Sequence, residues 1–145
     1  MEIREIEIVT DSVLEGLEQF LVNQGFKQDK TLSGRRNEEI FYCREKLGIS
    51  LVSPREFLSE DYHSFLGEEP EHVRNPRSVV NYFDSSEIPQ GNYNQAKKDF
   101  RELKRLLDSR GIKTHLYEKI TVYEKPVDAG KERTYKVESM KTIRP

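Results

Sequence analysis

The chain has 145 residues, of which 34% are hydrophobic and 34% charged, with a formal net charge of −2. That length fits one domain spanning 1–145 with a core of its own and leaves little room for two. A single cysteine, Cys43, excludes an intrachain disulfide, and with no secretory h-region or run of about 18 apolar residues a cytoplasmic location away from membranes is expected.

Charge is unevenly spread. Residues 1–90 hold 10 Lys and Arg against 18 Asp and Glu, a balance of −8, while residues 91–145 hold 14 against 8, a balance of +6. Two such halves can attract each other within one molecule, or the acidic half can meet a basic partner.

In chain order, EIEIV at 5–9 alternates as a strand, with Ile6 and Ile8 on one face and Glu5 and Glu7 on the other. Thr10, Asp11 and Ser12 then open a helix. Ser12 and Glu15 stand at capping-box spacing, Val13, Leu14, Leu17, Phe20 and Leu21 form its apolar stripe, and Gly25 ends it. IFYCR (40–44) and ISLV (49–52) are strand candidates joined by a turn or a bend at 46–48. The alternating row Phe41, Cys43 marks the cysteine as a small core residue.

SPREFLSEDYHSFLG, from Ser53, predicts an inserted helix over about 54–66. Ser53 is its cap, Pro54 its first residue, and Phe57, Leu58, Tyr62, Phe65 and Leu66 its stripe. SVVNYF (78–83) is a strand by composition. A third helix starts near Asn92 or Asn94, buries Phe100, Leu103, Leu106 and Leu107, and stops at Gly111. The first and third helices end alike, in QGFK and RGIK, where Gly takes a left-handed conformation and the next apolar residue folds back. Strands at 113–124 and 133–143, joined by KPVDAGKE, complete the pattern. The plan is α+β: two βαββ-like units forming one mostly antiparallel sheet, with helices packed on one face and one further helix inserted.

One strand carries an anomaly. In HLYEKITVYEKP the even positions Leu116, Ile120 and Val122 are apolar, yet Glu118 stands among them. A carboxylate on the buried face is costly unless paired, so Glu118 is either neutralised by a Lys or Arg, turned outward by a bulge, or set in a cavity as counter-charge to an organic cation. His115, Tyr117, Lys119, Thr121 and Tyr123 line the opposite face.

IPQGNY at 88–93, the helix after it, YEKITVYEKP at 117–126 and YKVESM at 135–140 together resemble the gyrase-inhibitor-like (GyrI-like) small-molecule-binding domains. The resemblance implies two βαββ units and a pocket holding the Glu of a Tyr–Glu pair. Tyr117–Glu118 is the matching pair here, and Tyr123–Glu124, closer to Pro126, is a rival. In the family a strand follows the glycine segment, whereas here a helix starts almost at once.

Other chemistry finds little footing. His63, His72 and His115 lack metal-ligand spacing and Cys43 has no CxxC partner, so no metal or cofactor is expected. The acids around Asp61, Glu68, Glu69 and Glu71 read as a surface loop. Lys97, Lys98, Arg101, Lys104 and Arg105 are interrupted by Asp99, Glu102 and Asp108, and Lys98–Glu102 is an i,i+4 pair, which suits a solvated helix face better than nucleic acid. Arg35 and Arg36 in SGRRN read as an exposed turn.

The sequence therefore predicts a small-molecule-binding or regulatory module, with an organic cation as the ligand that Glu118 suits. Tyr117, Tyr82 and Phe83 are its candidate walls. A protein-interaction module using the acidic portion is the alternative, and a small enzyme on a phosphorylated or cationic substrate is the third reading, against which the absence of catalytic motifs counts.

Overall fold

A computed structural model describes residues 2–29, 39–53, 60–85, 90–124 and 134–145. In chain order these form β1 (Glu2–Thr10), α1 (Leu14–Asn23), β2 (Lys27–Gln28), β3 (Glu39–Arg44), β4 (Leu47–Val52), α2 (Glu60–Leu66), β5 (Ser78–Ser85), α3 (Tyr93–Ser109), β6 (Thr114–Glu124) and β7 (Thr134–Thr142). The predicted turn SGRRN, the start of the inserted helix from Pro54 to Leu58 and all of KPVDAGKE lie outside the described residues.

The strands make one seven-stranded sheet in the order β2-β3-β4-β5-β1-β6-β7, with every pair antiparallel. The opening strands of the two βαββ units, β1 and β5, lie side by side at its centre. Each unit's hairpin docks on the other unit's opening strand: β4 on β5 and β6 on β1. The first unit attaches through the second strand of its hairpin and the second through the first, so the two units differ in how their hairpins dock. Residues Arg44 and Leu47 pair across a two-residue turn in which Glu45 has φ 55°, which places the break one residue earlier than the sequence suggests.

Alternation then sorts side chains by face. Ile6 and Ile8 of β1, Val80 and Tyr82 of β5, Leu51 of β4 and Leu116 of β6 meet Leu17, Phe20, Phe100 and Leu103 of α1 and α3 in the larger core. Both helices end as their sequences predict. Gly25 (φ 89°) and Gly111 (φ 78°) turn the chain left-handed, and the N–H groups of Phe26 and Ile112 donate back to Leu21 O and Leu107 O at 3.0 and 3.2 Å.

The start of α1 differs from expectation. Val13 is the N-cap residue, it is exposed, and no side chain caps the helix. The Ser12–Glu15 box does not form because Ser12 is held elsewhere: its N–H donates to Thr10 Oγ1 and its carbonyl accepts the hydroxyl of Ser78.

The inserted helix α2 covers the other face of the sheet. Tyr62 and Leu66 pack with Val9, Val52, Val79, Tyr117, Val137 and Met140 in a second core, while Phe65 stays exposed. Val137 and Met140 differ in parity yet share that face, because a register shift opposite Ile120/Thr121 lets β7 accommodate one extra residue. Cys43 is exposed rather than core. On β3 it is Tyr42 that points to the larger core, so the alternation runs opposite to the predicted row.

Candidate functional site

Glu118 sits on the face covered by α3, in register with Ile6 of β1, which is itself paired with Tyr82 of β5. It has partners in the protein. Lys97 Nζ donates to Oε1 at 2.9 Å and the Tyr93 hydroxyl to Oε2 at 2.6 Å, while the Arg4 guanidinium lies 4.1 Å over the Tyr93 ring. Partial burial pushes the carboxyl up. The Tyr93 and Lys97 hydrogen bonds and the charges of Lys97 and Arg4 outweigh it and hold the group below the usual range. A guest cation there would have to displace Lys97.

The four predicted site residues divide between the faces. Tyr82, fully buried, is with Glu118 beneath α3, its ring 6.3 Å from that of Tyr93. Tyr117 and Phe83 point to the face that α2 covers. The Tyr–Glu pair of the family resemblance thus contributes its tyrosine to one face and its carboxylate to the other, as neighbours on a regular strand must.

On Tyr117's side lies a polar cluster. Cross-strand register builds it from two adjacent rows: Asn81, Glu7 and Tyr117, then Phe83, Glu5 and Lys119. Glu7 is 1% exposed. Its Oε1 accepts the Tyr117 hydroxyl at 3.1 Å and its Oε2 the Asn81 amide at 3.2 Å; the same Asn81 nitrogen donates to Glu5 Oε2 at 2.7 Å. Among the described residues the nearest cation is Lys119, 3.9 Å from Glu7 and itself mostly covered.

Here the balance of forces runs opposite to that at Glu118. Burial, then repulsion from Glu5, raises the Glu7 carboxyl to about 7, against the pull of Lys119 and the hydrogen bonds from Asn81 and Tyr117. Burial lowers the Lys119 ammonium, but Glu7, Glu5 and Asp61 more than offset it and the net shift is upward. Two carboxylates therefore share one amide and one ammonium. Among the described residues Glu118 has a lysine and a hydroxyl to itself, whereas Glu5 and Glu7 have one ammonium between them.

A second chain of contacts ties α2 and the segment after it to the sheet. The Tyr62 hydroxyl accepts the Val73 N–H at 2.8 Å and lies 3.0 Å from His115 Nδ1, whose Nε2 is 2.8 Å from Thr142 Oγ1. Burial lowers His115 to about 4. Several links also join the acidic and basic halves: Glu69 and Glu71 meet Arg144, and Glu7 meets Lys119. These pairs answer part of the charge asymmetry inside the molecule.

His63 Nδ1 and His72 Nε2 lie 2.9 Å apart, and among the described residues no three His, Cys, Asp or Glu side chains group so as to hold a metal ion. No helix among the described residues is long and apolar enough to cross a membrane. Comparison with protein-family models, with curated proteins and with solved structures finds no match to this chain.

The Glu5–Glu7 site has two signals in the sequence. Tyr62 and Leu66 of an inserted helix need an apolar surface, and Val9, Val79 and Tyr117 can supply one only on the face that carries Glu7. Lys119, on the same face of β6 as Tyr117, is the cation opposite Glu5.

Proposed function

We propose that the protein is a small-molecule-binding module whose site is the Glu5–Glu7 carboxylate pair, and that its ligand is an organic cation. The counter-charge role foreseen for Glu118 passes to this pair. The observation that supports the reading is the sharing of one Asn81 amide and one Lys119 ammonium by two carboxylates, the inner one sealed from water. A buried carboxylate lacking full compensation gains more from an added cation than one already paired, because attraction is stronger where water is excluded. Glu5, half-buried, is the accessible member and would touch the cation. Phe83, paired with Glu5 across β1 and β5, is the aromatic residue that would stand beside the bound cation.

The test is thermal stabilisation by a panel of quaternary ammonium and aromatic amine ligands, comparing the native chain with Glu5→Gln. Binding at this site raises the melting temperature of the native chain and leaves that of the variant unmoved. Absence of any stabilisation, or equal stabilisation of both proteins, contradicts the assignment.

A further inference from the structure

The outer flank of α3 and the last residues of the chain enclose a groove of about 400 Å³ on the side of the sheet away from the carboxylate pair. Small-molecule sites commonly run from roughly 300 to 1,000 Å³. Its floor is the edge of the larger core at Leu116 and Ile143, only 1% and 5% exposed, and five cations stand around it: Lys98, Arg101, Lys104 and Arg105 of α3, and Arg144. Glu71, Glu102 and Asp108 are the carboxylates on the same rim.

Most of these charges are already committed. Arg105 grips Glu102 with two nitrogens, Lys104 Nζ donates to Asp108 at 2.6 Å and to Thr114 Oγ1 at 3.0 Å, and Arg144 reaches Glu71 at 3.3 Å. Because Glu102 turns to Arg105, the Lys98–Glu102 pair expected from the sequence does not form. Lys98 and Arg101, three residues apart on one helix flank, are left without an anion among the described residues. The three carboxylates nearby penalise each further negative charge, so a monoanion suits the rim better than a dianion. The stems of the lysines and arginines extend the apolar lining.

We propose that this groove binds a free single-chain alkyl carboxylate, its head between Lys98 and Arg101 and its tail along the aliphatic stems of the rim above Leu116 and Ile143. The site is independent of the cation site on the opposite face, and the loss of either proposal leaves the other standing.

Calorimetric titration of the full chain with decanoate below its micelle concentration tests it, with acetate, decanol and inorganic phosphate as companion probes. Decanoate is expected to bind one to one, at least tenfold more tightly than acetate, decanol or phosphate. The double variant Lys98→Glu, Arg101→Glu, at two exposed helix positions whose replacement leaves the core intact, loses at least tenfold in decanoate affinity. Acetate or phosphate binding as tightly as decanoate would remove the tail's place, and decanol binding as tightly would remove the head's. Decanoate binding that is absent, or unchanged by the charge reversal, overturns the site.

Discussion

Glu5 and Glu7, two residues apart on β1, meet at one amide nitrogen of Asn81, 2.7 Å from the first carboxylate and 3.2 Å from the second. The pairing makes Glu7 a proton holder near neutral pH. Its carboxyl stands at about 7 in the fold against 4.5 as its ordinary value. The folded state thus binds this proton more tightly than the unfolded chain does, so the contribution is fully present below about pH 4.5 and is lost as pH rises through 7. The loss is on the order of 3 kcal/mol, since each tenfold change in proton affinity is worth about 1.4 kcal/mol. Glu7→Gln should abolish that slope, which denaturant melts between pH 4 and 8 would read.

His115 acts in the opposite sense. Burial takes it from 6.5 to about 4, so its contribution is present above 6.5 and is lost as pH falls toward 4. Between about pH 4.5 and 6.5 the two groups oppose each other. Each single variant should therefore unmask the other's slope: Glu7→Gln a stability that falls on acidification, His115→Gln one that falls as pH rises. Matching slopes in native chain and variants would contradict both assignments.

Tyr62 holds α2 to the sheet through one oxygen. Tyr62→Phe strands the Val73 N–H and one nitrogen of His115 in a buried setting, where an unmet polar group costs roughly 1–3 kcal/mol. Urea melts should show that loss, and hydrogen exchange at Val73 should accelerate. A stability change within error would mean that water reaches both groups.

At Glu118 the expected effects are smaller, because about a quarter of the carboxylate side chain is exposed. Lys97→Met should cost about 1 kcal/mol or less, and Tyr93→Phe about 1 kcal/mol. The two share one carboxylate, so a double-mutant cycle should show coupling between them. The depressed Glu118 carboxyl adds stability that is present above its ordinary value of 4.5 and lost as pH falls further. Lys97→Met should shrink that acid-side loss.

Where local rules act alone, the sequence is informative. The Gly25 and Gly111 stops are legible because a left-handed turn followed by a returning apolar residue is a short-range pattern. The two-residue alternation of β1 and β6 likewise sorts Ile6, Ile8 and Leu116 onto one face and Glu7, Tyr117 and Lys119 onto the other. What alternation cannot state is which face meets water. One covered face suffices for an antiparallel sheet, and the docking of α2 over Glu7 on the second face depends on contacts far apart in the chain. Glu118 is legible as a carboxylate on a covered face, but its partners Tyr93 and Lys97 lie 25 and 21 residues away on a helix whose rotation is set by packing. Ser12 fails as a cap for a similar reason, since Ser78, on another strand, takes its carbonyl.

The most direct test of the carboxylate pair as a cation site is calorimetric titration with benzyltrimethylammonium at pH 6 and pH 8, in buffers of differing ionisation enthalpy. A cation seated beside Glu5 and Glu7 favours the ionised form of Glu7, so affinity should be several-fold higher at pH 8 and binding at pH 6 should release close to one proton. Affinity independent of pH with no proton released, or no binding at either pH, would contradict it.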